Sequence, residues 1–471
     1  MGWGTRAGAT VGVVLALVGG YLVADATDVV PGMLTTAPPP PEPAPFPDAP
    51  GAVAAPPLAV ALPPLDDAAT EPVADAVQAK VDDLVDDDRL GPRVGAVVTD
   101  AATGERLGAA ATDAGHVPAS TQKLLTAAAA LTSPGAATTI PTTVLLDGQD
   151  DLYLVGGGDM MLAAGAGDPT LVNGRAGLAD LAGQVADELR LTGRTTVTLR
   201  LDDTVFTGDA VSPSVFPGNV TAGYIAPVAA LAVDVARLDD DEYARREADP
   251  ALAAAQAFVE ALDAERVTVE GDVTRARAPS AATAVGEVRS APLGEVVDYL
   301  LQHSDNTITE VVGRLVAIDA GLPGSADAAT RAVLATVGAL GVDLDGAVLA
   351  DCSGLGDGSV LTPGQLAAVV GLLVDPAHPE LRSGAVGLPI AGLRGTLGDR
   401  FLDSAARGVA RAKTGSLPDV TSLAGTVVTA DDRLLVYTLM ADEVPAGGTY
   451  GARVIFDEFV GGLAACGCTG G

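Results

Sequence analysis

Lysine, histidine, cysteine and asparagine each occur three times in 471 residues, tryptophan occurs once, and aromatic residues make up only 3% of the chain. Basic residues are also scarce: 27 of them, 24 being Arg, face 61 acidic side chains and leave a formal net charge of −34. An acidic balance of this size, with no Lys/Arg cluster, excludes nucleic acid as a partner, because a polyanion binder needs a basic footprint. His116, His303 and His378 are scattered, and Cys352 lies far in sequence from Cys466 and Cys468, so neither a structural zinc nor any other metal site is expected. Small residues dominate instead, with 57 Gly and a heavy load of Ala and Val. Ala-rich stretches are therefore weak evidence for any one fold, although the length suffices for two or three domains.

The first residues address the compartment. Arg6 precedes an uncharged, mostly apolar run from Ala7 to Ala24, and Ala24-Asp25-Ala26 supplies a small-x-small site. This run sits at the lower limit for spanning a bilayer and contains Gly8, Gly12, Gly19 and Gly20, so residues 1–30 read equally as a cleaved signal peptide or as a membrane anchor. Residues 31–70 are rich in Pro and Ala and read as an extended spacer without a core. The folded part is expected to begin near residue 71, exported to the cell envelope, either anchored or secreted.

Arg93–Thr99 and Glu105–Ala111 flank a Gly-containing turn and predict a hairpin. Pro118-Ala119-Ser120 then leads into Thr121–Leu131, where Leu124, Leu125, Ala128 and Leu131 recur at helical spacing and predict a largely buried helix. Near the other end, Val420–Thr429 and Leu434–Met440 predict a second strand pair sharing a sheet with the first, and Val454–Phe459 suits a closing helix. Ala176–Leu189 and Thr195–Leu201 give a helix followed by a strand in between.

The rarity of lysine gives its positions weight. A guanidinium does not lose its proton in a protein, whereas a desolvated lysine can act as a general base. Of Lys80, Lys123 and Lys413, Lys123 lies three residues after Ser120 at the start of the predicted buried helix, one turn away on the same face. This pairs a Ser nucleophile with a Lys base. Asn306 closes Ser304-Asp305-Asn306, and Lys413 opens Lys413-Thr414-Gly415. With 14 Ser, three Lys and three Asn, Ser-x-x-Lys and Ser-x-Asn are each expected by chance roughly 0.1 times. Taken singly, the three motifs also read as a helix N-cap, a turn and a loop before a strand. No G-x-S-x-G occurs, and His303 directly adjoins Ser304, which is poor geometry for a base.

S-x-x-K, S-x-N and K-T-G in this order resemble the signatures of the penicillin-recognising serine acyltransferases. The chain is similar to their D-alanyl-D-alanine carboxypeptidase/endopeptidase family, the class C low-molecular-mass penicillin-binding proteins. Gly167–Leu171 (GDPTL), Ala230-Leu231, Glu310 after the second motif, Asp351–Gly356 (DCSGLG) with Thr362-Pro363, and Leu388–Phe401 agree with it, over about residues 80–465. The sequence departs from the family after Ser353-Gly354-Leu355, where Gly356 stands in place of the usual Ser.

The resemblance implies an α/β fold of the penicillin-binding/β-lactamase-like transpeptidase type: an antiparallel sheet with helices, a helical subdomain and an inserted domain. The catalytic domain is expected at 71–149 and 286–465, with the insert at 150–285. It implies acyl transfer in which Ser120 attacks and Lys123 takes its proton, without a cofactor. Ser304 would relay a proton, Asn306 would orient the substrate amide, and Lys413 would supply positive charge. Thr414, Gly415 and Ser416 would form the substrate-binding strand edge, with backbone amides of Ser120 and Ser416 as the oxyanion hole. The implied partners are peptidoglycan stem peptides and, as covalent inhibitors, β-lactam antibiotics, with carboxypeptidase or endopeptidase preference left open. Two alternatives stand beside this reading. A β-lactamase would need a further base for deacylation, and no Glu-x-x-x-Asn pattern occurs; a wall-binding or β-lactam-sensing module would acylate once without turnover.

Overall fold

The computed structural model describes residues 18–27, 29–30, 69–148, 150–241 and 243–466. Most of the export segment, all but two residues of the spacer, and Cys468 lie outside these. The chain divides into two units, Met1–Pro63 and Pro64–Gly471. In the first, residues 18–26 are helical, and among the described residues no helix is long and apolar enough to cross a membrane.

The second unit opens with α1 (Ala74–Val85), β1 (Arg93–Asp100) and β2 (Arg106–Ala110). Val77, Val81 and Leu84 recur at helical spacing and give α1 one apolar face, each side chain adding about 1.5–3 kcal/mol on burial. That face covers β2 so closely that a Cβ at Gly108 would lie 3.1 Å from Val81. The Gln78 amide also exchanges hydrogen bonds with the Ala109 backbone, donating to its carbonyl at 3.1 Å and accepting from its N–H at 2.9 Å. Ladder groups at this rim of the sheet are thereby satisfied.

A 3₁₀ turn, Ala119–Gln122, leads into α2 (Lys123–Ala130), all eight residues of which are buried. The run of small residues lets other helices approach α2 from several sides. Next come β3 (Pro141–Asp147), β4 (Asp151–Gly156), β5 (Asp159–Leu162), α3 (Leu178–Leu191), β6 (Thr196–Asp202), α4 (Pro217–Thr221), β7 (Leu231–Val233), α5 (Pro250–Ala264), β8 (Thr268–Val269), β9 (Thr274–Arg275) and β10 (Thr283–Arg289). They build a second sheet in the order β10-β3-β4-β6-β8, with β9 beside β6 and a separate β5-β7 pair. The β10-β3-β4 ladders are antiparallel, whereas β4, β6 and β8 run parallel.

The chain then forms α6 (Leu293–His303), α7 (Asn306–Asp319), α8 (Ala326–Ala339), α9 (Pro363–Val374) and α10 (Arg382–Val386). It closes with β11 (Ala410–Leu417), β12 (Val420–Val428), β13 (Leu434–Asp442) and α11 (Thr449–Ala464). The first sheet runs β11-β12-β13-β1-β2, entirely antiparallel, so both ends of the unit meet where β1 pairs with β13. The expected strand pairs are thus present, and the closing helix is longer than expected at both ends. Residues alternate between the faces of this sheet. Leu435, Tyr437, Leu439 and Ala441 join the core under α1 and α11, while Val436 and Met440 join the helical core containing α2.

At β11 the sheet ends differently. Ala412 N–H donates to the Pro389 carbonyl at 3.1 Å and Ala391 N–H to the Ala410 carbonyl at 3.0 Å, covering the start of the strand. From Lys413 to Leu417, no strand among the described residues lies beside this edge.

At the opposite end of the sheet, fully buried Asp100 receives a two-pronged contact from Arg433, Nε to Oδ2 at 2.5 Å and Nη2 to Oδ1 at 2.8 Å. Burial raises the Asp100 carboxyl, but the bonds from Arg433 and Thr103 outweigh it and hold the group below its ordinary value. Removing one partner leaves a buried charge uncompensated. Arg433→Ala is therefore expected to lower unfolding free energy by about 3–5 kcal/mol, measured by denaturant titration; a loss below 1 kcal/mol would show that the pair is dispensable.

Candidate active site

The site lies where the 3₁₀ turn before α2, the first turn of α7 and the uncovered edge of β11 converge. Ser120 is partly exposed, in the middle of the turn, and follows Ala119, whose φ of +47° is left-handed. A non-glycine residue in that region carries about 1–3 kcal/mol of strain and persists only where its surroundings enforce it. Gly354 makes room for this conformation, since a Cβ there would lie 2.0 Å from the Ala119 carbonyl oxygen. The predicted helix from Thr121 therefore begins later, at Lys123, and the nucleophile candidate projects from a tighter turn.

Lys123 Nζ lies 2.8 Å from Ser120 Oγ, 2.7 Å from Asn306 Oδ1 and 2.8 Å from the Ser353 carbonyl oxygen. The amine is fully buried, and burial lowers its pKa to about 8 against the pull of the Asp351, Glu310 and Asp305 carboxyls. Two of its three neighbours can only accept. A neutral amine donates to those two and turns its lone pair toward the Ser120 hydroxyl. Asn306 is held in that sense because its Nδ2 donates to the Tyr224 carbonyl at 2.8 Å, which aims Oδ1 at Lys123.

Ser304 caps α6 in a left-handed conformation, φ +53°, and Asp305 caps α7 by accepting from Ile308 N–H at 2.9 Å. This sharp change of direction between two helices puts Ser304 and Asn306 into one cleft. Lys413 Nζ donates to Ser304 Oγ at 2.9 Å and to the Thr414 carbonyl at 2.8 Å. Burial, and then the Lys123 charge, push this amine well below the usual lysine range. Along β11 the side chains alternate: Thr414 Oγ1 meets Thr396 Oγ1 at 3.0 Å, and exposed Ser416 accepts from Arg453. Gly415 packs directly on the nucleophile turn, since a Cβ there would lie 2.1 Å from Ser422 Oγ and 2.8 Å from the Pro118 carbonyl. Ser120, Lys123, Ser304, Asn306, Lys413, Thr414, Gly415 and Ser416 thus come from three distant stretches of chain into one groove.

Behind them lies a frame of buried carboxylates. Glu310 accepts from the Cys352 and Ser353 N–H groups at 2.9 and 2.8 Å, and Asp351 accepts from the Ser353, Gly354 and Gly356 N–H groups at 3.0, 2.6 and 2.6 Å. Burial, then the Asp351 charge, raises Glu310 to about 8. The loop so held presents the Ser353 carbonyl to Lys123. Cys352, within it, is buried and free, with its thiol pushed up by burial, as suits a packing role.

Some participants were not singled out from the sequence. The Tyr224 and Ser353 carbonyls act through the backbone, which leaves no residue signature. Arg246 supports Tyr224 from the side, donating to the Gly223 carbonyl at 2.9 Å and the Val235 carbonyl at 3.0 Å. Arg453 stands one residue before the helix expected at Val454, and a helix boundary placed earlier would have brought it to notice.

The D-Ala-D-Ala carboxypeptidase 3 (S13) family model matches residues 77–241 and 236–454. Over 362 residues the chain is 36% identical to a carboxypeptidase of Mycobacterium tuberculosis, covering 75% of this chain and 76% of that protein. Over 359 residues it is 36% identical to the carboxypeptidase DacB of Mycolicibacterium smegmatis, covering 74% and 76%. Its fold is similar to that of penicillin binding protein 4 from Haemophilus influenzae, with a TM-score of 0.68 at 21% identity, covering 81% of this chain and 98% of that one. With a mixed α/β architecture of this type and a family match over most of its folded length, the chain belongs to the D-Ala-D-Ala carboxypeptidase 3 (S13) family, hydrolases of the penicillin-binding group.

Proposed function

We propose that this protein is an exported serine D-alanyl-D-alanine carboxypeptidase that trims peptidoglycan stem peptides through an ester on Ser120. The observation that supports this most is the Lys123 amine, fully buried, 2.8 Å from Ser120 Oγ and lowered to about 8. Its lone pair takes the hydroxyl proton as Oγ adds to the carbonyl carbon of the penultimate D-alanine. The carbonyl oxygen becomes an oxyanion, received by the backbone N–H groups of Ser120 and Ser416. Collapse breaks the C–N bond, and the proton that Lys123 took passes through Ser304, which Lys413 holds by hydrogen bond, to the leaving nitrogen, returning Lys123 to its neutral form. Asn306 orients the acyl-side amide, while Thr414 and Ser416 bind the terminal carboxylate. Water then attacks the ester, giving up its proton to Lys123, and releases the shortened peptide.

A β-lactam ring would open by the same attack and leave the ester in place, so these antibiotics act as covalent inhibitors. The same groove would serve an endopeptidase reaction on cross-links whose amine side carries a D-centre. In this reading residues 71–149 and 286–465 form the catalytic domain, and residues 150–285 form an insert whose Tyr224 loop braces Asn306. The N-terminal segment carries the protein to the envelope as a leader or an anchor.

Intact-mass analysis of the full chain with penicillin is expected to show one adduct on wild type and none on Ser120→Ala, with D-Ala released from a stem pentapeptide by wild type only. An adduct on the Ala variant, or no adduct on either, would remove Ser120 as nucleophile. An adduct without D-Ala release would leave a sensor, and rapid penicillin turnover would favour a β-lactamase.

Lys123→Ala is expected to slow acylation by about 10²–10⁴-fold, the range for loss of a positioned general base. Because the base works as the neutral amine, the acylation rate of wild type should rise about tenfold per pH unit below its pKa and level off above about 8. Stopped-flow acylation across pH 5–10 checks this, and a profile flat through pH 8 would exclude Lys123 as the titrating base.

A further inference from the structure

A peptide ending in a free carboxylate approaches a protein of net charge −34, and a field of like sign opposes it unless a local cation offsets it. Lys413 is poorly suited to that task. Its amine is buried beneath the groove and committed to Ser304 Oγ and the Thr414 carbonyl. Lys123 is equally buried and committed to Ser120, Asn306 and the Ser353 carbonyl. A guanidinium, by contrast, keeps its charge at every physiological pH.

One guanidinium stands at the uncovered end of β11. Thr449, the first residue of α11, donates from Oγ1 to the Pro418 carbonyl at 2.8 Å and so ties the start of this helix to the turn after β11. One helical turn later, Arg453 donates to Ser416 Oγ from Nε at 3.2 Å and from Nη2 at 2.8 Å. Asp457, the next acid along the same face, is already engaged by Arg400, from Nε at 3.1 Å and Nη2 at 2.5 Å. Among the described residues Arg453 enters no ion pair, whereas Arg400 and Arg433 do. A planar fork of five N–H donors therefore leans on a single hydroxyl, with donors to spare for a carboxylate bound there.

We infer that Arg453 is a specificity-determining residue that binds the substrate's terminal carboxylate together with Ser416 and Thr414, selecting peptides with a free C-terminus over amidated ones. This rests on the Ser120 acyl-transfer reading and adds to it a fixed cation supplied by the C-terminal helix.

The test compares wild type, Arg453→Ala and Arg453→Lys, each as the full chain, on an N-acylated peptide ending in D-Ala-D-Ala and on its C-terminal amide. Arg453→Ala is expected to lose about 10- to 100-fold in kcat/KM on the acid, mostly through KM, as for a lost hydrogen bond to a charged group. On the amide it should change less than about threefold, and Arg453→Lys should recover part of the acid rate because charge without the fork remains. Melting temperatures within about 2 °C of wild type would exclude a folding defect. Equal losses on both peptides, or an unchanged acid rate, would overturn the inference and leave the Ser120 reading intact. A wild-type protein inert toward the acid and toward penicillin would sink both.

Discussion

Everything at the proposed catalytic centre depends on one amine held out of water between a hydroxyl and two groups that can only accept hydrogen bonds. Desolvation drives the Lys123 ammonium toward neutrality, and the Asp351, Glu310 and Asp305 carboxyls keep it from going further. The outcome is an amine with a preferred direction, because Asn306 Oδ1 and the Ser353 carbonyl claim its protons and leave the lone pair for Ser120. That direction is set two contacts away, where the Tyr224 carbonyl fixes the Asn306 amide. A residue from the middle of the chain thus determines what a lysine near its start can do.

The cost of this arrangement is spread over the supporting structure. Ala119 and Ser304 both adopt left-handed backbone, the first directly before Ser120 and the second itself facing the groove. Gly354 and Gly415 press against the nucleophile turn from two sides, where any side chain would collide. The two buried acids hold the backbone of residues 351–356, accepting five hydrogen bonds from four N–H groups of that loop. Strain and desolvation are tolerated because the sheet and the helical core around them are fully packed.

Much of this was legible because rarity sharpened the signal. With three lysines and three asparagines in the chain, the spacing of Ser120 to Lys123 and of Ser304 to Asn306 carried meaning that a lysine-rich sequence would have hidden. The hairpins and their shared sheet were legible too, since β1, β12 and β13 are short Val- or Leu-containing runs bounded by turn residues, buried along most of their length. What escaped were features set by tertiary context. The 3₁₀ turn at Ala119–Gln122 depends on Gly354, more than two hundred residues away, and so cannot be seen in local periodicity. Likewise, Lys413 reads as a charge in sequence, and only its burial beside Lys123 shows how weakly it holds a proton.

The uncovered stretch of β11 has a bearing on self-association. An open sheet edge is a template on which a second chain can add strands without limit, and proteins generally blunt such edges. Here the opening is bounded, by the Pro389–Ala391 segment at one end and by the Pro418 turn with α11 at the other. Five residues at about 3.4 Å each make a slot of roughly 17 Å, long enough for the tip of a peptide and closed at both ends to a longer strand. The gap that admits a ligand is thereby kept from seeding aggregation.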